Sequence, residues 1–289
     1  MFTHFFGNYL YSNKIITKQE LKEALEKKSN SRIKMGVLAI NKGLMTAMEV
    51  HKVLDKQTQV DMRFGEIAIE MGYLNHDQVA GLIQEQRKSY LLLAQALLDI
   101  SAITYDQFEE SLKLFKLKYS VEEIGDSNYD DDELQKMVAR FVDPSDNRTH
   151  QHVKYLTLLI RNLVRFIGDD FVLFDYNEPI SDRTIKISQL MDIVPAFETS
   201  MYAERDVLVH FVSRFLNENI SDYSTTVENG AVDFLNLHNG LYSLTCDVVG
   251  EHEIPSPEIS KGKLVNDDPS LVLRVLYPFG EIAFDLKNV

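Results

Sequence analysis

The sequence has a single cysteine, Cys246, in 289 residues. An internal disulfide and a cysteine-rich metal cluster are thereby excluded, and a lone cysteine is most often a small buried hydrophobe. Long apolar runs are missing too. Residues 1–12 contain apolar positions, but Gly7 and Asn8 interrupt them and no basic start precedes them, so neither a signal peptide nor a membrane span is expected. Basic charge is scarce in the C-terminal part: residues 119–289 hold 14 Lys/Arg against 30 Asp/Glu, whereas residues 1–118 hold 16 against 14. An acidic surface cannot displace counterions from a nucleic acid and is repelled by an anionic membrane. A triphosphate loop is absent, because Gly262-Lys263 lacks both the upstream glycine and the following Ser/Thr. We find no metal-ligand cluster and no serine or cysteine nucleophile constellation. A cytoplasmic protein is the expectation.

What the sequence does have is a period of 29 residues. Gly7, Gly36 and Gly65 are equally spaced, with Ala94 in the next slot. Thr17, Thr46, Asn75 and Thr104 form a second ladder, and Leu21, Val50, Val79 and Phe108 a third. A fixed period of this size marks stacked supersecondary units, each unable to bury its apolar face alone. Each copy reads as a short helix, a turn, two apolar residues, an N-cap and a longer helix. In the second copy the short helix spans 35–41, Gly43 breaks it, Leu44 and Met45 anchor the turn, and Thr46 caps a helix over 47–57. Thr46 with Glu49, and Thr17 with Glu20, have capping-box spacing. The predicted N-terminal domain, residues 1–118, is an all-helical array of four repeats.

The two central copies carry a paired motif. Lys34-Met35-Gly36, Ala39-Ile40, Gly43-Leu44-Met45, Val50, Leu54 and Gln57 form one string; Arg63-Phe64-Gly65, Ala68-Ile69, Gly72-Tyr73-Leu74, Val79, Ile83 and Gln86 form the next. Over residues 4–117 this resembles the MshEN domain at the N-terminus of type II secretion and pilus ATPases, whose binding members hold cyclic-di-GMP in the paired motifs. The resemblance implies a ligand site at Lys34, Met35, Gly36, Gly43, Leu44 and Gln57, with Arg63, Phe64, Gly65, Gly72, Leu74 and Gln86. Glycine lets backbone N–H groups approach a phosphate, and an arginine plane suits a guanine. This sequence has Lys34 where the family has arginine, and a lysine cannot form the planar two-pronged contact. Copies one and four lack the motif and read as structural or capping units.

Residues 119–151 read as an acidic linker, with Asp130 to Asp132 followed by Glu133, and a turn-forming Asp143-Pro144-Ser145-Asp146-Asn147 whose Pro144 ends any helix over 133–141. The remaining domain, residues 152–289, opens with helical periodicity over 152–168. Strand-like stretches at 171–174 and 184–187, helices over 203–216 and 227–249, and strands at 271–277 and 281–286 follow. That order describes an α+β sandwich with helices on one sheet face.

The last of these helices carries an apolar stripe, Ala231, Phe234, Leu235, His238, Leu241 and Tyr242. Asn229, Asp233, Asn236, Asn239 and Ser243 are expected on the opposite, exposed face, with His238 packed in the core. The string Phe234-Leu235-Asn236-Leu237-His238-Asn239-Gly240, with Ile254-Pro255-Ser256-Pro257 and Ser260-Lys261-Gly262, resembles the CheX/CheC/FliY family of chemotaxis phosphatases, a likeness covering about residues 152–288. The family's motif is Glu-x-x-Asn on a helix that inserts into a phosphorylated receiver. There the amide orients the attacking water and the acid meets the receiver's lysine, so catalysis is by positioning. The resemblance gives Asn239 the amide role and Asn236 the acid's place, with a charge lost; Asp233 lies one turn earlier.

Together these readings imply a bacterial signalling adaptor. Its N-terminal domain senses cyclic-di-GMP or docks a partner, and its CheX-like domain binds a phosphorylated receiver with little or no hydrolysis. The alternatives are an active receiver phosphatase using Asn239 with Asn236 or Asp233, and a structural scaffold of a motility or secretion assembly. The expected partner is a CheY-like receiver or a motility or secretion component, with self-association through the C-terminal domain.

Overall fold

The computed structural model describes residues 2–28, 31–85, 91–119, 131–141, 149–174, 184–192, 196–246, 254–261 and 271–288. The chain divides into two compact units, residues 1–130 and 131–289. In the first, the described residues form eight alternating helices: α1 (Phe2–Ser12), α2 (Lys18–Lys28), α3 (Met35–Asn41), α4 (Ala47–Gln57), α5 (Phe64–Glu70), α6 (His76–Glu85), α7 (Leu92–Asp99) and α8 (Tyr105–Tyr119). Helices α2, α4, α6 and α8 begin 29 residues apart, each for the same local reason. Thr17, Thr46, Asn75 and Thr104 donate their backbone N–H to the side chains of Glu20, Glu49, Gln78 and Gln107 at 2.7, 2.7, 2.9 and 2.9 Å. The cap side chains accept the return bonds from the same four residues. Each box satisfies two helix-end donors, and losing such a cap typically costs about 1 kcal/mol.

The turns between the helix pairs share a backbone state as well. Lys14, Gly43, Gly72 and Ser101, again 29 apart, have φ of 58°, 65°, 74° and 59°. Only glycine adopts this left-handed conformation without steric cost. The core of the unit is aromatic where its ends meet: Phe6 of α1 lies edge-on to Phe115 of α8 at 5.4 Å and to Phe108 at 6.3 Å.

In the second unit, α9 (Asp131–Phe141) packs against α10 (Thr149–Phe166). Residues 131–141 of the expected linker are therefore helical and belong with the second unit, while 120–130 and 142–148 lie outside the described residues. The unit continues through β1 (Val172–Phe174), β2 (Ile185–Met191), β3 (Phe197–Ala203), α11 (Arg205–Leu216), α12 (Thr225–Ser243), β4 (Glu258–Lys261), β5 (Leu271–Tyr277) and β6 (Gly280–Asn288). The six strands among the described residues form one antiparallel sheet in the order β1-β5-β6-β3-β2-β4. Helices α10, α11 and α12 lie on one face: Tyr155 stands edge-on to Phe197, Gly280 abuts Val207, and Phe234 reaches Phe284.

Two strands escape the sequence pattern. The last residue of β3, Ala203, falls where a helix is expected to start; α11 begins only at Arg205. Strand β4 is exposed along its whole length and has no buried face to create an alternation. Helix α12 begins two residues earlier than expected and ends at Ser243, short of the expected 249: Leu244 to Cys246 already form a turn, and 247–249 lie outside the described residues.

Candidate functional site

Two places collect the residues that the sequence singles out. The first is a pocket of about 390 Å³ in the N-terminal unit. Lys34 and Arg63 precede α3 and α5 in matching extended conformations, which puts the heads of both motifs at the pocket. Met35, Gly36, Gln57, Phe64 and Gly65 also line it. The packing is reciprocal. A Cβ on Gly36 would stand 2.8 Å from Val50 Cγ1 and 3.5 Å from Phe64 Cζ, and one on Gly65 would stand 2.9 Å from Val79 Cγ1 and 3.2 Å from Met35 Sδ. Each glycine thus lets its short helix touch the long helix after it, and seats the large residue of the other motif.

Electrostatically the heads differ. Lys34 Nζ donates to Asp99 Oδ1 at 2.6 Å, and the Lys34 backbone N–H donates to Gln95 Oε1 at 2.9 Å. The hydrogen bond to Asp99 holds the lysine above its ordinary pKa, so it stays charged but is already partnered. Arg63 has no ion-pair partner among the described residues. Gln57 donates to the Met62 carbonyl at 3.0 Å and closes the link from α4 to α5.

Four expected ligand residues lie elsewhere. Gly43 and Gly72 sit at the left-handed turns with open space around them, and neither they nor Leu44 and Leu74 line the pocket. The turn is at the far end of the short helix from the motif head, so the glycines there serve the backbone; Leu74 is buried. Gln86 lies outside the described residues. The sequence reading missed four wall residues: Arg32, Ile33, Leu54 and Tyr105. Leu54 belongs to the first motif string; Tyr105 belongs to the fourth copy, which lacks the motif.

The second place is α12. Asn239 is not on the exposed face: it is wholly buried. Its Nδ2 donates to Gln189 Oε1 at 2.8 Å and to Thr199 Oγ1 at 2.7 Å, and its Oδ1 accepts from the Tyr155 hydroxyl at 3.0 Å. Gln189 and Thr199 are register partners on β2 and β3, facing inward beneath the helix. An Asn among apolar residues needs this set of partners, because a buried amide without them is costly. Gln189 also donates to Asn236 Oδ1 and to the Pro255 carbonyl, each at 2.8 Å. Asn236, Asp233 and Asn229 are exposed as expected. His238 is buried as expected: Nδ1 meets Asn162 Nδ2 at 2.9 Å, Nε2 has no hydrogen-bond partner among the described residues, and burial pushes its pKa down to about 3. The imidazole is therefore neutral at physiological pH. Burial likewise raises the Tyr155 phenol, which stays a donor.

Among the described residues no group of three or more His, Cys, Asp or Glu is placed to hold a metal, and no helix is long and apolar enough to cross a membrane. No family model and no curated protein matches the sequence. Solved structures that are similar are CheX- and CheC-like chemotaxis proteins, and the similarity covers about half of this chain. A CheC-like superfamily protein from Shewanella sp. PV-4 is 12% identical, over 47% of this chain and 96% of that one, with a TM-score of 0.37. The chemotaxis protein CheX from Vibrio vulnificus is 11% identical, over 50% and 99%, with a TM-score of 0.40. A CheX–CheY–BeF3–Mg complex from Borrelia burgdorferi contributes a chain 14% identical, over 46% and 94%, with a TM-score of 0.36.

Proposed function

We propose that the chain is a signalling adaptor: residues 1–118, a four-repeat helical domain, bind an anionic purine nucleotide of the cyclic-di-GMP kind, and the C-terminal domain holds a phosphorylated CheY-like receiver without hydrolysing it efficiently. The observation that carries this reading is the pocket between the two motif heads. It brings together Arg32, Lys34 and Arg63 with Phe64, Met35 and Leu54. Cations at the mouth suit phosphates, and an arginine without a carboxylate partner retains its planar fork for a guanine or a phosphate. Lys34, engaged by Asp99, leaves that task to Arg63.

The receiver assignment rests on the resemblance of the α12 string to the chemotaxis phosphatases. The lack of hydrolysis has separate support in Asn239. An amide that orients water must reach the phosphoryl group, and this one is buried with both donors and its acceptor engaged. Asn236 is exposed but carries no charge for a receiver's lysine.

Calorimetric titration of the full chain with cyclic-di-GMP tests the first half: wild type gives saturable heat and Arg63→Ala loses it. No heat from wild type at high micromolar ligand removes the sensing role. The second half is read from the decay of an acyl-phosphorylated receiver. Neither wild type nor Asn236→Glu accelerates decay, while the phosphorylated receiver is retained on the immobilised chain. Accelerated decay with wild type would mean a working phosphatase and would end the adaptor reading.

A further inference from the structure

The fourth copy of the 29-residue period lacks the ligand motif, yet it supplies a wall of the pocket. Tyr105 is the first residue of α8 and lines the cavity, together with the heads of both motifs. The equivalent first positions of α2, α4 and α6 are Lys18, Ala47 and His76. Of these four slots only that of the fourth copy holds a tyrosine, and among the four it alone lines the pocket. Its backbone is fixed by the reciprocal bonds of Thr104 and Gln107, at 2.9 and 3.2 Å.

The ring is fixed too. His51 of α4 stands perpendicular to it, with centroids 5.6 Å apart and planes at 87°, and His51 Nε2 is bonded to Asp106 Oδ2 at 3.0 Å. An edge-to-face contact occupies at most one face of a ring, so Tyr105 keeps a face for another partner. Burial raises the phenol's pKa, so the ring is uncharged and does not repel a dianion. Phe64 provides a second aromatic in the same cavity.

We propose that Tyr105 is a binding residue of this pocket, the platform on which a purine base of the ligand stacks. The proposal rests on the nucleotide reading above and extends the site to a third segment of the chain. Stacking on an aromatic side chain needs a rigid, desolvated, neutral ring, and tolerates either purine because each has a π-face.

The chain contains no tryptophan, so Tyr105→Trp introduces a single indole into the full-length protein. Cyclic-di-GMP is the probe. Calorimetry on wild type, Tyr105→Phe and Tyr105→Ala is expected to give affinities within about threefold for the first two and a loss of about tenfold or more for alanine. Titrating Tyr105→Trp is expected to quench the indole emission saturably, with the midpoint found by calorimetry. If wild type and Tyr105→Ala bind equally and the indole emission does not change, the role of Tyr105 is overturned while the nucleotide reading stands. If wild type gives neither heat nor Tyr105→Trp any quench, both fall together.

Discussion

Asn239 uses both amide protons and its carbonyl oxygen inside the protein, against Gln189, Thr199 and Tyr155. Removing the amide leaves three buried groups short of a partner, each at about 1–3 kcal/mol. Asn239→Leu is therefore expected to lower stability by about 3 kcal/mol or more in urea denaturation. Asn236→Leu, at an exposed site that loses only one bond from Gln189, is expected to cost about 1 kcal/mol. Equal small effects for both would mean that Asn239 is not packed as described. The contrast also explains a failure of sequence reasoning. Asn236 and Asn239, three apart on a helix, look like one polar face, and polarity alone does not report exposure. The buried acceptors that reverse this inference, Gln189 and Thr199, lie 50 and 40 residues away in sequence. Tyr105 carries no motif signature: it lies in the fourth copy, and only the packing of α8 brings it to the pocket.

Elements in this chain are legible where one local rule repeats. The four capping boxes are written into the Thr17, Thr46, Asn75 and Thr104 ladder, and α1 to α8 follow the period; of the left-handed turns the sequence marks that at Gly43, while Lys14 and Ser101 carry no glycine to betray theirs. Gly43 and Gly72 match the turn's backbone; Lys14 and Ser101 hold the same state against steric cost. Gly43→Ala is expected to destabilise the N-terminal unit by about 1 kcal/mol, and Ser101→Gly to stabilise it by up to a similar amount. Opposite signs in chemical denaturation are the diagnostic; a loss from both substitutions would contradict the shared turn. Strand β3 obeys no comparable rule. Phe197, Thr199 and Met201 alternate toward the helices, but Ser200 and Tyr202 between them are buried as well, so the period of two is lost. Strand β4 fails for the opposite reason, being exposed on both faces.

For the whole molecule, the division into residues 1–130 and 131–289 implies two cooperative transitions in calorimetry, with different responses to acid. His238 belongs to the second unit and is neutral when folded, because burial lowers its pKa to about 3. The unfolded imidazole titrates near its ordinary value, about 6.5. Between these values the unfolded state binds the extra proton, so the contribution is complete above pH 6.5 and is lost as pH falls toward 3. From pH 6.5 to 5 this amounts to about 2 kcal/mol. The transition of the second unit should fall in temperature over that interval, and His238→Phe should flatten the dependence without altering the response of the first unit. An unchanged slope in the variant would assign the acid sensitivity to other groups.

The sheet order also sets a timetable for synthesis. In the N-terminal unit the last helix ends at Tyr119, so every contact among α1 to α8 can form once that short stretch has left the ribosome. Strand β1 has a different prospect. Among the described residues its neighbour is β5, and Val172 pairs with Leu276, 104 positions later. During translation β1 therefore emerges long before its partner exists, and the β1–β5 pair cannot form until residues 271–277 have been made. A pause between Phe174 and Leu271 would prolong the exposure of an apolar strand edge, the condition under which nascent chains stick to one another.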